Sequence, residues 1–463
     1  MEAAVSRFWK EIKGKKVAFI GLGVSHLPLL RQFSDHGARV IACDKRDRAA
    51  LSQALAGIDL SGIELRLGPE YLTGLKADVV FRTPGFYFNR AEITMLREQD
   101  MIVTSEMEVF FDLCPCKIIA VTGSDGKSTT TSVIAEMLKA AGKRVFLGGN
   151  LGFPLLPRID EIQPEDFAVV ELSSFQLISM RKSPDIGVIT NVSPNHLDVH
   201  GTMEEYIDAK LNLLRHQTAF GVAVLNRDND VTRSFAPTVR GRLREFSRLS
   251  QPRRGCFLRE DGMLCHVMDE RVTPIMKASS IKLPGDHNVE NYLAAMTAVW
   301  GIVTPEQIVQ VAETFGGVEH RIEFVRELSG VRYYNDSIAT SPTRVMAGLR
   351  AFREPMVVIM GGYDKKIPFS PMAELVNDRV RVLILMGATA DAIEAAVKQA
   401  KNYHTSRLEI VRAGSMQEAV QLAREKARPG DVVTLSPACA SFDKYPNFEA
   451  RGRHFKKIVQ ELS

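Results

Sequence analysis

The chain has 463 residues, which at roughly 150 residues per domain suggests about three domains. Its 59 lysines and arginines nearly balance 55 aspartates and glutamates. Hydrophobic residues make up 45% of the chain and charged residues 25%, a composition that excludes collagen-like, disordered and disulfide-dense proteins. A net charge of +4 is too slight an excess to predict nucleic-acid binding, which needs clustered charge. Without a run of about 18 apolar residues or a signal-peptide core, the sequence predicts no membrane insertion and a cytoplasmic protein with reduced thiols.

Short apolar runs alternate with helical stretches in the first third of the chain. The runs at 17–20, 40–43 and 77–81 are followed by glycine, a carboxylate or a Thr-Pro-Gly turn. This alternation predicts a parallel, doubly wound α/β sheet, in which ligands bind beyond the carboxyl ends of the strands.

Gly21-Leu-Gly23, followed by Asp44, resembles part of a dinucleotide-binding fingerprint. His26 stands where the third glycine is expected, so the fingerprint is incomplete. A ribose or phosphate could still fit at Ser25 and Asp44. A dehydrogenase is therefore one alternative hypothesis, which nicotinamide binding would test.

The strongest chemical motif is Thr122-Gly-Ser-Asp-Gly-Lys-Ser-Thr129, between a predicted strand at 118–121 and a predicted helix at 130–141. Its glycines let the backbone curl so that N–H groups and the helix N-terminus face phosphate oxygens. Lys127 would then reach the β- and γ-phosphates, and Ser128 would hold Mg²⁺. Two residues separate the glycines instead of the usual four, so this is a shortened phosphate loop.

Polar side chains follow the later strands of this region. Glu171, after a strand, is either a second Mg²⁺ contact or an acid favoured at a helix start. His196 either meets metal or substrate or is structural. The amides of Asn288 and Asn291 either read a purine edge or cap a helix, and the residues alone give no reason to select Lys210.

A third region again has the character of an α/β domain. Strand-like runs recur at 356–360, 382–386 and 432–435, and each is followed by glycine or by Ser-Pro. The pattern predicts a further sheet with its loops at the strand ends.

Eight motifs in the same order resemble the Mur ligase family, whose members add amino acids during peptidoglycan synthesis. They are Thr122-Gly-Ser-Asp-Gly-Lys-Ser-Thr129, Glu171-Leu-Ser-Ser-Phe-Gln176, Asn191-x-x-x-x-His196-Leu-Asp198, Tyr206-x-x-x-Lys210, Gly285-x-His-Asn-x-x-Asn291, His320-Arg321, Asn335-Asp-Ser337 and Leu435-Ser-Pro-Ala-Cys-Ala-Ser441. These motifs lie between residues 122 and 441, and the resemblance as a whole covers nearly the whole chain.

The resemblance implies an α/β fold of three domains. These are an N-terminal Rossmann-like UDP-sugar-binding domain over 1–105, a central P-loop ATPase-like domain over 106–318 and a C-terminal Rossmann-like amino-acid-binding domain over 319–463. Within the family, the segments at 21–25, 42–46 and 83–85 are similar to the member that adds D-glutamate to UDP-N-acetylmuramoyl-L-alanine. The implied reaction passes through an acyl phosphate made from ATP, with two Mg²⁺ ions, in a monomer.

The resemblance also implies roles for individual residues. Those implied to bind ATP are Gly123, Ser124, Asp125, Gly126, Lys127, Ser128, Thr129, Asn288, Asn291, Arg321 and Asp336. Those implied to bind the UDP-sugar are Ser25, Asp44, Lys45, Arg46, Gly85 and Asn150, and those for glutamate are Thr340, Lys365, Ser441 and Phe448. Ser128 and Glu171 would hold one Mg²⁺, and His196 and a carbamylated Lys210 the other. Lys127, Glu171, His196 and Lys210 are the implied catalytic residues.

Ile338 departs from the family pattern, because many D-glutamate ligases carry a lysine after Asn-Asp-Ser. The missing cation needs a replacement, for which Lys365 and Lys366 are the candidates. Ligation of L-glutamate or another amino acid therefore stays open as an alternative. A switch GTPase without ligase chemistry is a further alternative, but its base-specific Asn-Lys-x-Asp element does not occur in the sequence.

Overall fold

In the part of the chain that the structure describes, the strands form three β-sheets, of five, nine and six strands. The structure, a computed structural model, describes residues 4–195, 197–364 and 367–463. They form two compact units, the first made of residues up to 280 with Val289–Val311, and the second of Ile281–Asn288 with Ala312–Ser463. The predicted α/β class is confirmed, while the domain boundaries at 105 and 318 stay predictions.

The first sheet is wholly parallel. Its strands are β1 (Lys16–Ile20), β2 (Arg39–Asp44), β3 (Glu64–Leu67), β4 (Val79–Arg82) and β5 (Ile102–Thr104), and its helices are α1 (Ala4–Ile12), α2 (Leu27–Asp35), α3 (Ser52–Leu55), α4 (Ala91–Glu98) and α5 (Glu106–Leu113). The strand order is β3-β2-β1-β4-β5. Because the order reverses between β1 and β4, a crevice opens at their carboxyl ends.

The second sheet continues the first unit. Its strands are β6 (Lys117–Thr122), β7 (Val145–Gly149), β8 (Phe167–Glu171), β9 (Ile186–Ile189), β10 (Val222–Asn226), β11 (Arg242–Ser247), β12 (Arg254–Leu258), β13 (Met263–Met268) and β14 (Arg271–Lys277). The helices in this stretch are α6 (Lys127–Ala140), α7 (Ser174–Leu177), α8 (Leu197–His200), α9 (Met203–Arg215), α10 (Asp230–Ser234), α11 (Asp286–Val299) and α12 (Pro305–Thr314), with 3₁₀ helices at Leu156–Glu161, Ala236–Thr238 and Ala278–Ser280.

The order of this sheet, β14-β13-β12-β11-β10-β9-β6-β8-β7, places β6 between β8 and β9. The pairs from β12 to β7 are parallel, whereas β12, β13 and β14 form antiparallel hairpins. β14 and β7 are the edge strands, and Pro274 of β14 lies opposite Cys265 where the pairing shifts register. The loops after β6, β8 and β9 therefore meet at one edge of the sheet.

The third sheet lies in the second unit. Its strands are β15 (Glu323–Leu328), β16 (Val331–Asn335), β17 (Met356–Met360), β18 (Val380–Leu385), β19 (Glu409–Arg412) and β20 (Val432–Leu435), and its helices are α13 (Pro342–Arg350), α14 (Ser370–Arg379), α15 (Ala390–Gln399), α16 (Met416–Lys426) and α17 (Phe448–Glu461). The order is β15-β16-β20-β17-β18-β19, and β15 pairs antiparallel with β16. The other pairs are parallel, so the loops after β16, β17 and β20 share an edge.

One continuous hydrophobic core joins the first two sheets. Phe19 of β1 stacks on Phe81 of β4 with ring centroids 4.9 Å apart, and α5 contributes the buried rings of Phe110 and Phe111. Such contiguous burial is the main force that holds the two sheets together. Among the residues described, no helix has the length and apolar character needed to cross a membrane.

Candidate active site

The phosphate loop joins β6 to α6 in the first unit. Gly126 has a left-handed φ of +78°, and a Cβ there would lie 2.3 Å from the Oδ1 of Asn291, so the loop requires glycine. This turn lets α6 begin at Lys127, three residues before the predicted start at Thr130. The Nζ of Lys127 donates to the carbonyl oxygen of Ser124 at 2.8 Å. The N-terminus of α6 thus brings N–H groups and a cationic side chain to one loop, which suits an anion.

Thr190 and Asn191, which directly follow β9, hold the phosphate loop through hydrogen bonds. The Oγ1 of Thr190 and the Nδ2 of Asn191 both donate to the carbonyl oxygen of Asp125, at 2.6 and 3.1 Å. The Oδ1 of Asn191 accepts from the backbone N–H of Asp125 at 2.9 Å. Sequence reasoning placed Asn191 in a motif but gave it no role, because its partner lies 66 residues away. These three hydrogen bonds fix the backbone of the loop at Asp125.

Glu171 ends β8, the neighbour of β6. Its side chain is buried, and its Oε1 accepts from the Nδ2 of Asn150 at 2.8 Å. Its Oε2 is buried without a hydrogen-bond partner among the described residues. A buried carboxylate oxygen is costly to leave unpaired and favours a cation. Together with the buried hydroxyl of Ser128, it provides the oxygen donors that Mg²⁺ prefers.

Lys210 lies on α9 and is 1% exposed. Its Nζ donates to the carbonyl oxygen of Gly123 at 2.8 Å and lies 4.6 Å from the centre of the Tyr206 ring. Burial lowers the pKa of Lys210 well below its ordinary value, and the charge of Lys127 adds to this, while neighbouring carboxylates oppose it. The structure thus places an easily neutralised amine beneath the phosphate loop. The sequence carries no sign of this, because the burial arises from tertiary packing.

The two predicted nucleotide-binding asparagines of α11 have different surroundings. Asn291 is buried, and its Oδ1 accepts from the Oγ1 of Thr130 at 3.2 Å, which brings it to the phosphate loop. The Nδ2 of Asn288 donates to the carbonyl oxygen of Pro284 at 2.7 Å in the second unit. Neither contact decides between purine recognition and helix capping, so both interpretations of these asparagines stay predictions.

A cavity of about 280 Å³ lies between the first two sheets of the first unit. Its lining includes Ser25, Arg82, Gly85, Glu106, Asn150 and Gln176. Three of the six predicted UDP-sugar positions, Ser25, Gly85 and Asn150, are therefore brought together. Arg82 was missed by sequence reasoning: it is fully buried, and its guanidinium donates to the Oγ of Ser179 at 2.5 Å.

The other three predicted positions lie at the end of β2 and just after it, and they are not among the residues that line the cavity. Asp44 is buried and accepts from the backbone N–H of Leu22 at 2.8 Å and from the guanidinium of Arg46 at 2.7 Å. Burial raises the pKa of Asp44, but these hydrogen bonds outweigh it and hold the pKa below its ordinary value. Lys45 and Arg46 are exposed. Asp44 thus fixes the glycine turn after β1 as an ionised carboxylate.

Asp336 follows β16 in the second unit and is buried. Its Oδ2 accepts from the Oγ of Ser436 at 2.9 Å and its Oδ1 from the backbone N–H of Ile322 at 3.2 Å. Burial raises the pKa of Asp336 to about 7, although both hydrogen bonds and the charge of nearby Arg321 oppose the rise. The structure therefore brings the predicted positions Arg321 and Asp336 close enough to interact.

Arg451 of α17 joins the loops at the predicted glutamate site and was missed by sequence reasoning. It is buried and donates to the carbonyl oxygens of Cys439 and Ser337, at 3.1 and 2.9 Å. Burial lowers the pKa of Arg451 to about 10. The Oγ of Ser337 donates in turn to the carbonyl oxygen of Phe448 at 2.8 Å. One signal in the sequence was Gly452 beside it, a glycine inside a helix.

The remaining predicted glutamate positions either lie near Arg451 and its hydrogen-bond partners or fall outside the residues that the structure describes. Ser441 is buried at the end of the segment that Arg451 holds, and the backbone N–H of half-buried Thr340 donates to the carbonyl oxygen of Ile338 at 2.7 Å. His196, Lys365 and Lys366 lie outside the described residues, so the structure says nothing of their predicted roles.

A phosphate loop between a parallel strand and a helix, beside a buried carboxylate, defines a nucleotide-binding α/β protein of the P-loop class. The model of the Mur ligase middle domain matches residues 121–299, and that of the Mur ligase glutamate ligase domain matches residues 320–439. The chain belongs to the Mur ligase family, as the motifs predicted.

Full-length relatives and solved structures agree with this assignment. The UDP-N-acetylmuramoylalanine–D-glutamate ligases of Acetivibrio thermocellus and Clostridium botulinum are 50% and 45% identical to this chain, each over 100% of both chains. The structure of UDP-N-acetylmuramate–alanine ligase from Thermotoga maritima matches with a TM-score of 0.57 at 18% identity, over 96% of this chain and 99% of that one. A UDP-N-acetylmuramoyl-L-alanyl-D-glutamate–2,6-diaminopimelate ligase matches with a TM-score of 0.54 at 19% identity, over 98% and 94%. These two structures support the fold.

Proposed function

We propose that this chain is an ATP-dependent ligase that joins D-glutamate to UDP-N-acetylmuramoyl-L-alanine, in the cytoplasmic synthesis of peptidoglycan precursors. One observation carries the proposal: Asn150 both lines the substrate cavity and donates to Glu171 beside the phosphate loop. A carboxylate that enters from the cavity would therefore come close to the γ-phosphate of ATP. The names of the full-length relatives support this choice of substrates.

The reaction needs activation because a carboxylate is a poor acylating agent. In the first step an oxygen of the alanyl carboxylate attacks the γ-phosphorus of ATP, and the bond to ADP breaks. Lys127 would neutralise charge on the transferred phosphoryl group. In the second step the neutral amine of glutamate attacks the acyl carbon, phosphate leaves with its bridging oxygen, and the amine loses a proton. Enclosure of the site would keep water from hydrolysing the acyl phosphate.

Mg²⁺ would supply further charge neutralisation on the phosphate oxygens. We propose that Ser128 and Glu171 hold one ion, for which the unpartnered Oε2 of Glu171 provides support. His196 and Lys210 would hold a second. A neutral Lys210 amine reacts with carbon dioxide to form a carbamate, and the lowered pKa of Lys210 favours that reaction.

The amino-acid site is proposed in the second unit, at Thr340, Ser441 and Phe448. Lys365 would bind a carboxylate of glutamate, and Lys365 or Lys366 would replace the cation that Ile338 lacks. The corresponding division is a UDP-sugar domain over 1–105, an ATP domain over 106–318 and an amino-acid domain over 319–463, in a monomer.

The decisive experiment measures phosphate release from ATP with UDP-N-acetylmuramoyl-L-alanine and each enantiomer of glutamate. We expect release with D-glutamate, with stoichiometric amide product seen by mass spectrometry. Faster turnover with L-glutamate would correct the stereochemistry, and no release with any amino acid would refute the ligase.

Replacement of Lys127 with alanine tests the proposed phosphate site. We expect Lys127→Ala to lower kcat by about 100-fold or more, because a charge that stabilises the transferred phosphoryl group is lost. Lys139→Ala is the matched control: Lys139 lies near the end of the same helix, is half exposed and pairs with Glu136. Equal activity in the two variants would contradict the role of Lys127.

A further inference from the structure

Residues 150–154 form one wall of the substrate cavity, and we call them the wall segment. Asn150, Gly152 and Pro154 all line the cavity. The segment folds back on β7, since a Cβ on Gly148 would lie 2.6 Å from the carbonyl oxygen of Phe153. Phe153 also forms an isolated β-bridge with Gly148, but the segment belongs to no strand or helix, so the contacts at its two ends help to fix its position.

The first end is held by Glu171. The backbone N–H of Asn150 donates to the carbonyl oxygen of Glu171 at 2.8 Å, and the Asn150 side chain donates to the Glu171 carboxylate at 2.8 Å. The start of the wall segment is therefore fixed to the strand that carries the proposed Mg²⁺ ligand.

The second end is held by Glu106, a residue to which no role has yet been given. Its Oε1 accepts from the backbone N–H groups of Leu155 and Leu156, at 2.9 and 2.8 Å. These N–H groups stand at the start of the 3₁₀ helix Leu156–Glu161. The N-cap residue is Leu155, whose side chain cannot accept a hydrogen bond. Helix-opening N–H groups need an acceptor, and a carboxylate is the strongest that a side chain can offer.

Glu106 lies at the first position of α5 and itself lines the cavity. It is 7% exposed, and burial raises its pKa to about 7 against the pull of the two N–H groups. Placing a carboxyl in a buried site has a free-energy cost, which a neutral capping residue would avoid. The Glu106 carboxyl therefore lines the substrate cavity and also accepts the hydrogen bonds that fix the second end of the wall segment.

We propose that Glu106 is a positioning residue for the UDP-linked substrate: it holds the wall segment in place through Leu155 and Leu156, and thereby sets the affinity of the cavity. The inference rests on the proposed function. It assigns to Glu106 an effect on one substrate of three, because ATP and glutamate are assigned to other parts of the chain.

The test compares steady-state constants of three variants of the full chain. Glu106→Leu removes the acceptor, and we expect the KM for UDP-N-acetylmuramoyl-L-alanine to rise by about tenfold or more, since small displacements of a binding wall have large effects. The KM values for ATP and D-glutamate should stay within about twofold. Glu106→Gln keeps an oxygen that can accept both N–H groups and should restore the KM. Asp166→Leu is the matched control, because Asp166 is a buried carboxylate that accepts from the backbone N–H of Gln163 at 2.8 Å but does not line the cavity.

Three results would overturn the proposal: an unchanged KM for the UDP-linked substrate in Glu106→Leu, an equal rise in all three KM values, or a Glu106→Gln variant as impaired as Glu106→Leu. If Glu106→Leu does not fold, Glu106→Asp serves, because its shorter side chain keeps the charge but cannot hold both N–H groups, and it too should raise that KM alone. Wild-type protein that forms no amide would refute the proposed function, whereas active wild type with an unaffected Glu106→Leu variant would refute this inference alone.

Discussion

At the scale of single residues, Asp336 links stability to pH. Burial raises its pKa from 3.8 to about 7, so between these pH values the side chain is ionised in the unfolded chain but still protonated in the folded protein. Stability from this group is thus fully present below about pH 4 and is lost as the pH rises through about 7, by up to about 4 kcal/mol.

Asp336→Asn should remove that pH dependence. The amide oxygen of asparagine can still accept from Ser436 or Ile322, so the fold is kept while the ionisation is lost. Urea unfolding of both proteins at pH values from 4.5 to 8 measures the effect. We expect the variant to lose less free energy of unfolding over this range. Parallel curves for the two proteins would contradict the raised pKa.

At the scale of elements, the phosphate loop depends on the left-handed turn at Gly126. Gly126→Ala should cost about 1–2 kcal/mol of stability from its φ alone, and its Cβ would also press on Asn291. Gly142 is the matched control, because it has a φ of +71° just after the same helix and a Cβ there would meet nothing within 4 Å. We expect both variants to be destabilised but only Gly126→Ala to raise the KM for ATP. A similar KM for ATP in both would show that the space beside Asn291 is not needed.

At the scale of the whole molecule, hydrogen bonds join the first two sheets of the first unit. The Oη of Tyr87 and the Nδ2 of Asn89 both donate to the Oε1 of Glu205 on α9, at 2.7 and 2.9 Å. A double-mutant cycle of Tyr87→Phe and Glu205→Ala should give a coupling energy of about 1–2 kcal/mol, because the acceptor is charged and partly buried. The surface pair Arg31 and Asp35 of α2 should give less than about 0.5 kcal/mol. A Tyr87 coupling as small as that of the surface pair would mean that this bond does not connect the sheets.

Strands and loops were predicted from the sequence where a local pattern of residues marks them. The strands at 17–20, 118–121 and 356–360 were predicted because fully buried parallel strands appear as continuous apolar runs. β3 and β5 were not predicted, since both are edge strands with exposed or half-buried residues. The motif predicted the phosphate loop, but not the burial of Lys210 beneath it.

The contacts that complete the site were beyond the reach of local patterns. Thr130 meets Asn291 across 161 residues, and Arg451 reaches Ser337 across 114. No periodicity relates such pairs. The sequence motifs contain some of these residues, but only the fold shows which of them are in contact.

The edge of the nine-stranded sheet bears on how this protein behaves in a concentrated solution. An unpaired edge strand is a template on which other chains add strands, which leads to aggregates. β14 carries exposed Arg271 and Lys277 at its ends, and exposed Pro274 in its middle withholds one N–H from any incoming strand. The irregular register beside Pro274 interrupts the ladder further. These features hinder the addition of a strand to β14, so this end of a long sheet can face water without becoming the start of a fibre.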